Sequence, residues 1–434
     1  MEVFLQKLTA YLIDSKDPSI IEKTSKLINR CDKSEFDFTL PCSSEIELWK
    51  KCAGPKGQGL SFDGLINLER SNCEPRSIEN STLPISAVQV IDNNIFLKLD
   101  RSLLCNSVIN KICNNGLVDT TIQGKTTFSV VNCEIGRNNK HKSSKQMNQL
   151  RTNQVCLAIE RVLSICNHRK VPRDQADCII KVGCPDKKHL KQQEKDIPLT
   201  IGTVNVNSFN NTANEYCEVM DVYNVLYSKI LSIAQERDAL GSQSDLKKRA
   251  KLAAASELQF LLLSKNLNRP LTLPNSENDM NAGSTSSDSC FILYNFARIN
   301  QLLYSYKCQR DKYGDMLPIS EVDFSHLREQ EEWDIVFNCL IHYQDLITGV
   351  SKLELCDSLC FEQLNKILGK ICLLLTKLSN MYSKYYRRVK ILKHGPQVQS
   401  TKQTLNARLY LLLAIQSVYA HSFNIIDIQG MDYM

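Results

Sequence analysis

Tyr385-Tyr386-Arg387-Arg388-Val389-Lys390-Ile391-Leu392 is the stretch on which the reading of this chain turns. Upstream of it, Leu364, Ile367, Ile371, Leu374, Leu375, Leu378 and Tyr382 recur at helical spacing, so the octet closes a long amphipathic helix. Its charges are of one sign. Lys384, Arg387, Arg388, Lys390 and Lys393 fall within residues 384–393 with no acid among them, beside Tyr382, Tyr385 and Tyr386. Cations next to aromatic rings are what single-stranded RNA loops require, since Lys and Arg neutralise phosphates and splayed bases stack on flat side chains. The same residues also suit a solvated helix end favoured by the helix dipole, and composition alone leaves that alternative standing.

Working outward, the helical pattern fills the second half of the chain. Phe291, Tyr294, Ile299, Leu302, Leu303 and Tyr306 predict a helix over 291–306, and Leu405, Leu409, Leu412, Leu413, Val418 and Phe423 predict another. Val219, Val222, Val225, Leu226, Ile230 and Ile233 mark where helices resume after a mixed region. The apolar positions read as bundle core. Pro270, Pro274, Pro318 and Pro396 fall between the periodic segments, where a missing N–H does least harm, and polar residues 275–289 read as a flexible connection. Lys247, Lys248, Arg249 and Lys251 form a second basic cluster, and Arg298 and Arg408 sit on further helices.

The first half mixes strands and helices. Residues 87–91 and 95–99 flank Asp92-Asn93-Asn94 and predict a β-hairpin. A helix over 103–113, a β-branched strand over 126–131, a helix over 149–165 and a strand over 201–206 suggest an α/β unit. The loop Gly54-Pro55-Lys56-Gly57-Gln58-Gly59 lacks the Gly-Lys-Ser/Thr ending of a phosphate cradle.

Composition sets bounds. A chain of 434 residues, 43% hydrophobic and 23% charged, has the length of two to three domains and enough apolar material for real cores. A net charge of +6 permits a polyanionic partner without establishing one. The 18 cysteines include no Cys-x-x-Cys pair, so they are expected as structural thiols in a reducing compartment. No secretory leader is visible at the start, and no uninterrupted apolar run approaches the roughly 20 residues of a membrane span. The expectation is a soluble, cytoplasmic protein with no membrane or DNA partner. His168, His326, His342 and His421 show no triad or metal spacing, so neither a metal nor a cofactor is expected.

Three separated segments, in order, resemble the DALR anticodon-binding domain of arginyl-tRNA synthetases. The first is Glu257-Leu258-Gln259-Phe260-Leu261-Leu262-Leu263-Ser264, where Leu258 and Leu262-Leu263-Ser264 match but Ser256-Glu257-Leu258-Gln259 replaces the eponymous Asp-Ala-Leu-Arg. The second is Tyr294-Asn295-Phe296-Ala297-Arg298-Ile299, similar to the family's tyrosine-alanine-histidine-alanine-arginine-isoleucine helix. The third is the opening octet, followed by Ala407-Arg408-Leu409, by Ile425-Ile426-Asp427-Ile428 and by a terminal Met434. About 180 residues carry the resemblance, which rests on joint order rather than on one motif.

The upstream half follows the class I synthetase outline more faintly. There a strand enters a His-Ile-Gly-His loop whose histidines stabilise charge on ATP phosphates. Here the strand leads to Gln146-Met147-Asn148-Gln149 ahead of Leu150-Arg151-Thr152, with glutamines for both histidines and an asparagine for the glycine. The second class I element, a lysine-rich loop, also has no counterpart, because no Lys or Arg lies between Lys195 and Lys229. Without such cations the charge developing on pyrophosphate goes unscreened.

The resemblance implies an α+β protein: a degenerate class I synthetase-like α/β N-terminal half followed by an all-α DALR anticodon-binding helical bundle. The implied divisions are an additional helical domain over 1–80, a degenerate α/β domain over 81–216 and the bundle over 217–434. The implied RNA-binding residues are Lys247, Lys248, Lys251, Tyr294, Arg298, Lys384, Tyr385, Tyr386, Arg387, Arg388, Lys390, Arg408 and Met434. Residues 135–159 contain no acid, and their Arg137, Lys140, Lys142, Lys145 and Arg151 suggest a secondary RNA contact, or else a basic loop without a partner. The implied role is a non-catalytic reader of arginine tRNAs, working through the anticodon arm. It presents them to a methyltransferase, which supplies S-adenosylmethionine and forms 3-methylcytidine in the anticodon loop. A divergent ATP-dependent arginyl-tRNA synthetase and a protein-binding scaffold are the rival readings.

Overall fold

A computed structural model describes residues 25–26, 28–30, 36–41, 85–91, 94–114, 126–133, 142–183, 196–206, 219–237, 242–273, 288–351, 358–392 and 399–431. They fall into two compact units, one of 1–108 with 323–328 and one of 109–322 with 329–434. The fold is α+β.

In the first unit β1 (Asn29–Arg30), β2 (Phe38–Pro41), β3 (Ile85–Ile91) and β4 (Asn94–Leu99) form an antiparallel sheet in the order β1-β2-β4-β3. The hairpin expected from the Asx-rich turn is β3–β4, paired from Ile91↔Asn94 to Ile85↔Leu99. Buried Asp37 accepts the Leu99 N–H at 2.9 Å and pairs with Arg101 at 2.9 Å, which fixes the strand end to the start of α1 (Arg101–Asn114).

The second unit holds a parallel sheet of β5 (Thr127–Asn132), β6 (Arg169–Lys170), β7 (Cys178–Gly183) and β8 (Asp196–Thr200), in the order β6-β5-β7-β8. Cys178, Ile179, Ile180 and Val182 of β7 are all buried, as a central parallel strand demands. Its one charged residue, Lys181, is paired with Asp196 of β8. Helix α2 (Lys142–Ile165) crosses from β5 to β6 and buries Val155, Ala158, Ile159, Val162 and Leu163. It begins seven residues before the expected 149, because 142–148 is polar and carries no apolar period to betray a helix. The strand expected over 201–206 is divided: β8 ends at Thr200, and β9 (Val204–Val206) pairs in parallel with β10 (Leu271–Leu273). Gly202 lies between them, and a Cβ there would sit 2.2 Å from the Arg269 carbonyl.

Arg151, fully buried on α2, organises that junction. It donates to the carbonyls of Leu262 (3.1 Å), Gly202 (2.7 Å) and Arg269 (3.0 Å), three segments distant in sequence. The residue expected as a secondary RNA contact is therefore interior and structural.

The helices that follow are α3 (Val219–Arg237), α4 (Gln243–Leu263), α5 (Asp288–Cys308), α6 (Gln330–Ile335), α7 (Ile341–Ser351), α8 (Ser358–Arg388) and α9 (Gln399–Ile426), with a π-helical stretch over Val336–Leu340 joining α6 to α7. In α8 the expected stripe is core: Leu364, Ile367, Ile371, Leu374, Leu375, Leu378 and Tyr382 are buried. Within α9, Thr401–Ile426 is long and apolar enough to cross a membrane by length and composition, a length that uninterrupted apolar runs did not reveal. Most of its apolar window is buried in the bundle, as in a core helix. The cysteines described are free thiols, and burial pushes Cys166 and Cys339 up to about 12.

Glu257 of α4 closes the start of α5, accepting the Ser289 N–H at 3.2 Å and the Ser289 hydroxyl at 2.5 Å. Burial pushes its carboxyl up from 4.5 to about 7, partly offset by the Ser289 bonds. The folded chain thus holds that proton more tightly than the unfolded chain. The resulting stabilisation is complete below about pH 4.5 and is lost as pH rises through 7. Glu257→Gln should flatten the stability–pH profile in this window, removing a dependence of roughly 3 kcal/mol when urea unfolding is followed from pH 4 to 8. Arg151→Met should lower stability by roughly 3 kcal/mol or more in the same assay, because it orphans buried carbonyls at three places.

Candidate nucleic-acid interface

Helical period sorts the last turns of α8. Tyr382 and Tyr385 point inward, Tyr386 is half-buried, and Lys384, Arg387, Arg388 and, just past the helix, Lys390 are exposed. Helix α5 packs alongside and brings Tyr294 and Arg298 to this edge. The Arg298 guanidinium lies 4.3 Å from the Tyr294 ring centre and 4.2 Å from that of Tyr386, held between the two rings. Its NH2 also donates to the Tyr294 hydroxyl, and the Tyr386 ring lies 6.1 Å from that of Tyr382. Cation–π contacts of this kind contribute about 0.5–2 kcal/mol each and, more to the point here, fix the arginine in place. Tyr294 stays 41% exposed, and the neighbouring end of α8 exposes Lys384, Arg387, Arg388 and Lys390.

Two expected contacts belong to the interior instead. The Tyr385 hydroxyl donates to Glu332 Oε1 at 3.0 Å, and Arg408 Nε reaches the same oxygen at 2.7 Å. Glu332 is fully buried, and its second oxygen accepts the Glu329 N–H at 3.0 Å, closing a capping box at the start of α6. Burial together with the Glu332 charge raises the Tyr385 phenol well above its ordinary value. Tyr385 and Arg408 are therefore unavailable to a ligand: a cation and a ring were legible in the sequence, but not the buried carboxylate that claims both.

The second basic cluster lies elsewhere on the unit. Lys247, Lys248 and Lys251 are exposed on α4, whose hairpin partner α3 brings up Tyr223 and Tyr227. Those two rings are parallel, 6.4 Å apart, and the Tyr223 hydroxyl donates to the Lys251 carbonyl at 3.3 Å. The sequence reading missed this pair, although tyrosines four residues apart on a predicted helix beside four cations were the available signal. Met434, Arg137 and Lys140 lie outside the described residues, as do the side chains of Lys142 and Lys145.

Gln146-Met147-Asn148-Gln149, expected to stand in place of the synthetases' histidine loop, are built into the fold. Met147 is fully buried, and buried Asn148 accepts the Val204 N–H at 2.6 Å through Oδ1. Gln149 Nε2 donates to Asn153 Oδ1 at 3.1 Å. Among the described residues no group of three His, Cys, Asp or Glu is placed to hold a metal ion.

Residues 292–434, from within α5 through α9, match the DALR anticodon binding domain family. This chain carries a DALR anticodon binding domain. Tyr294, Arg298 and Tyr386 fall inside the matched region, whereas the α3–α4 hairpin falls outside it. Similar proteins include the DALR anticodon-binding domain-containing protein 3 of Danio rerio, 28% identical over 172 residues, covering 39% of this chain and 30% of the relative. The Rattus norvegicus protein of the same name is 31% identical over 131 residues, 30% of this chain and 23% of the relative. The match thus spans under a third of these relatives' length. Among solved structures, the arginyl-tRNA synthetases of Thermus thermophilus and Plasmodium falciparum align over 100% of this chain and of theirs, with TM-scores of 0.57 and 0.56. At 9% identity each, the likeness is one of fold.

The division between inner and outer cations has a direct test. Arg408→Met leaves the Glu332 carboxylate buried and uncompensated and should cost about 3–5 kcal/mol. Arg388→Ala breaks only the exposed pair with Glu331 and should cost under about 1 kcal/mol, both read by urea unfolding at neutral pH.

Proposed function

We propose that this chain is a non-catalytic tRNA-binding protein that recognises arginine tRNAs through the anticodon arm and presents them to a methyltransferase forming 3-methylcytidine. The observation that carries the reading is the Tyr294–Arg298–Tyr386 stack, which lies in the matched anticodon-binding region at a helix end that also exposes Lys384, Arg387 and Lys390. A ring pair locked by its arginine presents a flat surface at little entropic cost, and the surrounding cations neutralise the backbone of a loop laid over it.

The upstream half supports the non-catalytic part. Gln146 and Gln149 stand where histidines would be, and Asn148 already uses its side chain to hold Val204. Neutral amides cannot screen charge on a triphosphate as imidazolium or ammonium groups do. Methyl transfer then belongs to the partner, whose pocket sees one base while this chain reads the arm around it.

Gel retardation with total tRNA, followed by sequencing of the retained species, tests the reading. Wild-type chain should retain arginine tRNAs, and the Tyr294→Ala/Tyr386→Ala double variant should bind roughly tenfold or more weakly. Removing Arg387 and Lys390 together should lower the salt slope of binding by roughly two. Arginine-dependent ATP–pyrophosphate exchange by the purified chain, or unselective retention of all tRNAs, would overturn it.

A further inference from the structure

A cavity of about 580 Å³ opens between α2, α3, α4 and the end of α9, outside the surface just described. Its volume is in the range of sites that take small molecules, and it exceeds what a single water or side chain needs. Carboxamides predominate among the polar groups on its wall, beside the Arg161–Asp427 pair and Ser256. Gln154, Gln259, Asn424 and Gln429 bring four carboxamides to it, and Tyr223 brings a ring.

Two of the carboxamides are already ordered. Gln259 Nε2 donates to Gln154 Oε1 at 2.8 Å, which leaves one donor group, the Gln154 NH2, and one acceptor, the Gln259 carbonyl, without a partner among the described residues. A donor together with an acceptor is what a nucleobase edge presents in return. The wall has no spare charge: Arg161 is bound to Asp427 at 2.7 Å and to the Asn424 carbonyl at 2.8 Å. A small anion therefore finds no open cation inside, whereas a neutral planar heterocycle finds amides and a ring. Cations wait outside. Leu252, Ala255 and Gln259 line the cavity from one face of α4, and the exposed Lys248 and Lys251 lie within the preceding turn of that helix.

We infer that this cavity takes one nucleobase extruded from bound RNA, with the base between the Tyr223 ring and the Gln154–Gln259 pair and its phosphates against Lys248 and Lys251. The inference rests on reading the chain as an RNA-binding protein, and it adds a second, base-specific contact built mostly from residues that precede the matched 292–434.

Binding of AMP, GMP, CMP and UMP to the full chain, followed by saturation-transfer NMR and calorimetry, tests the cavity apart from any tRNA. At least one monophosphate should bind, in preference to the others. Ala255→Trp, which fills the cavity from an exposed position, should abolish that binding; Tyr223→Ala should weaken it roughly tenfold. Gln259→Leu should erase the preference among bases. Failure of every monophosphate to bind, or equal binding by wild type and Ala255→Trp, overturns the proposal. RNA carrying 4-thiouridine separates the two ideas. Retention with a crosslink that Ala255→Trp removes supports both, and retention with an unchanged crosslink pattern refutes the cavity alone. Monophosphate binding without any retention of tRNA refutes the anticodon-arm reading alone.

Discussion

One buried guanidinium holds the second unit in register. Arg151 leaves water at a large desolvation cost, and three backbone carbonyls offset it: one from the end of α4, one from the turn before β9 and one from the turn before β10. None of these segments is near α2 in sequence, so the bond set forms only when the parallel sheet and the helices have come together. Gly202 must be a glycine for the same reason, since its backbone passes against the Arg269 carbonyl that Arg151 binds. Helix α4, which carries one wall of the cavity, is tied to α2 through this junction.

The same physical rule decides which charges face a partner. A cation inside must have its own acceptors: Arg151 has three carbonyls, and Arg408 has the Glu332 carboxylate. A cation at the surface needs none and remains available for phosphate, as with Lys384, Arg387 and Lys390. Arg298 is the intermediate case. Held between two rings, it spends its charge on ordering aromatic surface rather than on an ion pair. Whether a basic helix end is a binding surface therefore depends less on the number of its cations than on what the neighbouring helix places against them.

Much of the fold was legible from periodicity. The stripe of α8, the start of α3 and the β3–β4 hairpin follow directly from apolar spacing and an Asx-rich turn. Less legible were elements built from polar residues: α2 starts in 142–148, and its deepest polar residues, Asn148 and Arg151, are held by backbone groups that no pattern announces. Within the candidate site the sequence showed Tyr294, Arg298 and Tyr386 as separate residues on two helices, and only packing makes them a stack. Tyr385 and Arg408 looked equally suited, and helical phase together with one buried glutamate removed them. Tyr223 and Tyr227 needed the α3–α4 pairing to be seen beside the lysines of α4.

Asn148 limits what its position tolerates. Its side chain holds a backbone N–H of β9, and a glycine placed there would strand the Val204 amide inside the protein. A stranded buried donor costs about 1–3 kcal/mol before any new chemistry could compensate. The start of α2 is thus locked to a strand 56 residues further along the chain by one ordinary hydrogen bond.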